Sequence, residues 1–164
     1  MAAEWINRRK AELDQKKQDA KIESARDRLA TETTRINGPV YWDSLLPELN
    51  KQCGDMEELG YQAKAYPLDN PYCEGEKTYH IDVQTIGHFP CDAHAILIHF
   101  SGSSTIKVSS NIPKLTEISL CATERGIRAN TNNDMSLMDV KALAAYLLEG
   151  LVEAIEKERR SLRI

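Results

Sequence analysis

A chain of 164 residues, 41% hydrophobic and 28% charged, is sized and composed for one folded core and unlike a disordered polar chain. Its formal charge of -4 is uneven: residues 1–35 carry nine Lys or Arg against seven Asp or Glu, which leaves -6 for the remainder. An acidic body repels phosphate backbones and no run approaches the roughly 20 apolar residues that span a bilayer, so neither a nucleic-acid nor a membrane partner is expected.

The first element is a helix. Between Met1 and Arg35 there is no Gly or Pro, and Ala, Glu, Lys, Gln and Arg dominate. Its large apolar residues are Met1, Trp5, Ile6, Leu13, Ile22 and Leu29, too few to bury a helix on its own account. Residues 1–36 therefore read as a charged helical arm that leans on its own body, a second copy or a partner. Ile22, Leu29 and Ile36 recur at heptad spacing with Ala25 between them, a short coiled-coil-like seam. This half is expected to pack on the body, leaving Trp5, Ile6 and Leu13 exposed. Trp5, Ile6, Leu13, Ile22 and Leu29 are the candidate partner-binding residues. Arg8-Arg9-Lys10 and Lys16-Lys17 are diluted by interleaved acids and read as a solvated face.

Asn37-Gly38-Pro39 is punctuation, and residues 37–164 read as a single α+β domain. A second amphipathic helix follows, with Trp42, Leu45, Leu46, Leu49, Cys53 and Met56 at helical spacing. If Asp43 is its N-cap, Pro47 falls in the first turn, where its missing N–H costs nothing. From Gly60 the period changes to two. Runs around 61–65, 79–84, 94–100, 105–109, 118–122 and Ile127 predict a mostly antiparallel sheet of four to six strands, because their connections are too short for parallel crossovers. Ser101-Gly102-Ser103-Ser104 is a hairpin turn, and residues 130–134 a polar loop.

Ser136 with Asp139 resembles a capping box for the closing helix. The apolar face of that helix holds Leu137, Val140, Leu143, Ala144, Leu147, Leu148, Leu151 and Ile155, and should pack on the sheet.

Chemistry-bearing residues are sparse. His88-Phe89-Pro90-Cys91-Asp92-Ala93-His94 gathers two imidazoles, a thiol and a carboxylate, so His88, Cys91 and His94 could supply zinc ligands. No second paired motif completes the set. Cys91 beside His88 or His94 offers a thiol and a base without an oxyanion element. His80, Asp82 and Gln84 share one strand face, near enough to a neighbouring strand for Lys107 to join them. Phosphate-binding and hydrolase motifs are absent. Cys53, Cys73, Cys91 and Cys121 form no CxxC pair, and no export signal is evident, so reduced thiols and a cytoplasmic location are expected.

These observations favour a non-enzymatic interaction or adaptor protein without a cofactor, binding a protein partner or a second copy of itself through the N-terminal helix. The rival is a small metal-binding or thiol-dependent enzyme centred on His88, Cys91 and His94, with zinc as its metal.

Overall fold

The computed structural model describes residues 4–68, 77–87, 93–102, 104–110, 117–131 and 134–162. It is an α+β fold in which a long N-terminal helix, α1 (Glu4–Asp55), precedes a seven-stranded antiparallel sheet and a C-terminal helix, α2 (Val140–Leu162). The strands are β1 (Tyr61–Leu68), β2 (Lys77–Thr85), β3 (Ala93–Phe100), β4 (Thr105–Ser109), β5 (Glu117–Thr123), β6 (Gly126–Thr131) and β7 (Asp134–Met138). Each pairs with the next in chain order, a meander whose local connections match the short turns in the sequence. Among the described residues, no helix is long and apolar enough to cross a membrane.

Two sequence expectations need correction. Asn37-Gly38-Pro39 does not break the helix, so the expected second helix is the C-terminal part of α1, with Pro39 and Pro47 inside it. By propensity Gly costs about 1 kcal/mol and each Pro about 3 in a helix interior. Against this, Tyr41, Trp42, Leu45, Leu49 and Cys53 are all buried on one face, and large apolar side chains contribute roughly 1.5–3 kcal/mol each when fully buried. Burial outweighs propensity. Gly38 is also buried, one turn after Thr34, the first buried residue of the helix. The helix stops at a single 3-10 turn, Met56–Leu59, closed by Gly60 at φ 87°, a left-handed conformation that favours glycine.

The sheet has seven strands rather than four to six. The extra one is β7: residues 134–138, expected as loop and helix start, pair with β6 instead, through Thr131 with Asp134 and Ala129 with Met138. Ser136 is therefore in a strand and Leu137 is exposed. Asp139 caps α2, its carboxylate accepting from the Ala142 N–H at 2.8 Å, three residues on. Strand pairing takes this segment because it places Met138 in the core, while Leu137 points the other way.

One face of the sheet carries the core. Tyr79, Ile81 and Val83 of β2, Ile96, Ile98 and Phe100 of β3, Ile106 of β4, and Ile118 and Leu120 of β5 are buried with α1 and α2. α1 touches β1 and also β5 and β6, which requires the sheet to curl around it. The ring of Trp42 lies 4.0 Å from that of Tyr79, within 5° of parallel, and 5.3 Å from that of Phe100. The Tyr79 hydroxyl donates to the Trp42 carbonyl at 3.0 Å, and the Tyr41 hydroxyl to the Met138 carbonyl at 3.1 Å.

Two outcomes follow for stability. Pro47 is exposed and removes the N–H that would bond to Asp43, so Pro47→Ala should raise stability by about 1–3 kcal/mol, read as a higher urea midpoint. A lower midpoint would show that the interruption is needed for packing. Burial pushes the Tyr79 hydroxyl up to about 12, and that of Tyr41 further in the same direction, while burial followed by the Asp82 charge raises the Cys53 thiol to about 11. Folded values above unfolded ones mean that this stability is complete below about pH 8.5 and lost as pH rises towards 12. Tyr79→Phe should cost about 1 kcal/mol at neutral pH and flatten the alkaline decline.

Candidate functional site

The largest feature that the body does not use is the first part of α1. From Glu4 to Glu32 every side chain except that of Ile6 is exposed, and the first buried residue is Thr34, whose hydroxyl donates to the Ala30 carbonyl at 2.8 Å. About 30 residues at 1.5 Å each make a rod roughly 45 Å long. It is helical without a core because the body holds its C-terminal end. Nucleation is thereby supplied, and extension adds one backbone hydrogen bond per residue.

The sequence expected Ile22, Leu29 and Ile36 to face the body. They do not: Ile22 is 53% exposed, Leu29 69% and Ile36 57%. The face that enters the core holds Gly38, Trp42, Leu45 and Leu49. Ile36 and Leu45 are nine residues apart, about two and a half turns, and so point in opposite directions. The exposed seam also runs further than heptad spacing suggested. Ile22, Ala25, Leu29, Thr33, Ile36 and Val40 cover about five whole turns on one straight line, and Val40 is 62% exposed. At its lower end, Val40 borders an open groove of about 500 Å3 between α1, the Ile127-Arg128 segment of β6 and the start of α2.

The five candidate contact residues do not form one surface. Ile22 and Leu29 belong to this seam, whereas Leu13 is nine residues before Ile22 and points the opposite way, with Trp5 and Ile6 on its side of the helix. Val40 was missed because an N-terminal boundary at residue 36 separated it from the arm.

The polar residues of the sheet surface are mostly engaged with one another. On its outer face Tyr66 lies against His80, with ring centroids 4.8 Å apart, and His80 Nδ1 is 3.4 Å from the Asp82 carboxylate. Lys64 stands opposite Asp82 in register. His99 meets the Thr78 hydroxyl at 2.9 Å through Nδ1 and the Ser109 hydroxyl at 3.3 Å through Nε2. Lys107 is opposite His99, so it does not join the His80–Asp82 pair as the sequence suggested. An imidazole beside a carboxylate can relay a proton, but among the described residues no thiol lines the depression beside it.

Of the expected zinc ligands, His88 and Cys91 lie outside the described residues. His94 is on the inner face near the sheet's end, its Nε2 2.9 Å from the Glu158 carboxylate of α2. Among the described residues, no three His, Cys, Asp or Glu side chains converge as a metal site would require. Cys53 is buried with a raised thiol, which suits packing rather than attack, and the Cys121 thiol donates to the Arg128 carbonyl at 3.6 Å.

No protein-family model, curated protein or solved structure matches the chain.

Because none of residues 4–30 is buried, a chain lacking residues 1–30 should keep the body's fold. Its thermal midpoint should remain within a few degrees of the full chain's, as expected when about 1 kcal/mol or less is lost. A collapse of the cooperative transition would make the arm part of the folding unit.

Proposed function

We propose that this is a non-enzymatic interaction protein whose body presents the N-terminal helix to another polypeptide. One observation carries the reading: the apolar seam of α1 is turned away from the body that could have buried it. Solvent exposure of Ile22, Leu29, Ile36 and Val40 along one line wastes hydrophobic free energy unless that line is covered in an assembly. The alternative of a small zinc or thiol enzyme at His88, Cys91 and His94 has less support, since His94 is already paired with Glu158. An adaptor or regulatory role within the cytoplasm fits the acidic composition and unpaired cysteine pattern.

Light scattering and purification from the native source, applied in parallel to the full chain and an Ile22→Ser/Leu29→Ser variant, test this reading. The full chain should either exceed the mass of one copy or retain a partner in stoichiometric amount. The variant should lose that association at unchanged helicity. A monomeric chain that retains nothing the variant fails to retain overturns the proposal.

A further inference from the structure

The seam also carries information about what covers it, and this step rests on the interaction reading above. Its flanking positions are mostly basic, while Glu32, between Leu29 and Ile36, lies on the seam itself. Lys21, Arg26, Arg28 and Arg35 flank Ile22, Leu29 and Ile36, and among them only Arg35 has an ion-pair partner among the described residues, Glu32 one turn away. In a helix pair the flanking positions meet across the interface and decide which partner and orientation are accepted. Two copies aligned in parallel would bring Lys21 towards Arg26 of the other copy, and antiparallel copies would bring the Lys21, Arg28 and Arg35 flanks together. Either arrangement juxtaposes like charges, which acts against self-pairing. The seam is also narrow, about one apolar side chain per turn, with Glu23 and Asp27 elsewhere on the same rod. A helix ridge fits such a line, whereas insertion into a lipid surface needs a wide apolar face.

We infer that the seam from Ile22 to Val40 binds an amphipathic helix of a different protein, one whose apolar stripe is bordered by acidic residues. The acidic flanks pair with Lys21, Arg26 and Arg28, and the partner's apolar residues cover Leu29 and Ile36. The helix runs down the seam to the groove beside Val40, where one of its side chains can enter between α1 and β6.

The test uses the full chain and two labelled synthetic helices with the same Leu/Ile stripe, one flanked by Glu and one by Lys, read by fluorescence anisotropy. The Glu-flanked peptide should bind about tenfold more tightly at low salt, and the difference should shrink as salt rises. Leu29→Glu should abolish binding of that peptide. Lys21→Glu/Arg28→Glu should reverse the preference towards the Lys-flanked peptide, while Leu13→Ala, on the opposite face, should change nothing. All three variants are at exposed positions, and circular dichroism should show the helix unchanged in each. Equal binding of both peptides overturns the charge selection while leaving the interaction reading intact. Seam-dependent dimers of the chain alone, seen by sedimentation, would make the occupant a second copy. Binding only to phosphatidylserine vesicles would make it a membrane. No association of any kind overturns the interaction reading too.

Discussion

The packing of Trp42 against Tyr79 and Phe100 is the contact on which the rest of the structure depends. It joins the long helix to the second and third strands, and it does so at a side chain with no exposed surface. Stacked aromatic pairs add about 0.5–1.5 kcal/mol to the free energy of burying the rings. The larger consequence is geometric. Once Trp42 faces the sheet, the helical period places Leu45, Leu49 and Cys53 inward and Ile36 and Val40 outward, so the seam's exposure follows from the anchor.

The same anchor explains why a segment with Gly and two prolines stays helical. Local preferences over residues 37–47 favour a break, and each prevents or weakens helix formation by an amount that one or two buried leucines can offset. The body therefore acts on the arm twice. It overrides the break at Gly38-Pro39, and it supplies a formed end from which the charged residues 4–33 extend into solvent. A helix with so little apolar surface would be marginal if it had to nucleate alone.

Exposure and burial are separated along one helix. The helix packs with β1, β5, β6 and α2 through residues from Thr34 onward, and nearly all of the side chains from Glu4 to Glu32 are left to the solvent. Basic residues border the outward seam, while the remainder of the chain is net acidic. The polar groups of the sheet behave differently: His99 is satisfied by two hydroxyls, His94 lies against the Glu158 carboxylate, and His80 lies beside Asp82. Their positions follow from strand register and account for polar side chains on a sheet without requiring catalysis.

Composition and periodicity were enough to identify an α+β chain with a charged helical N-terminus, an antiparallel sheet and an apolar closing helix, because each of these depends on short-range patterns of two or 3.6 residues. The core residues of β2, β3 and α2 were legible for that reason. Three features required tertiary contacts. The continuity of α1 through Pro39 depends on burial that no local propensity contains. The seventh strand depends on β6 offering a free edge to residues 134–138, which as an isolated segment resemble a loop and helix cap. The direction of the Ile22–Val40 seam depends on which of two apolar stripes the sheet accepts. Sequence spacing revealed both stripes, but only packing around Trp42 chose the one to bury and left the other outside.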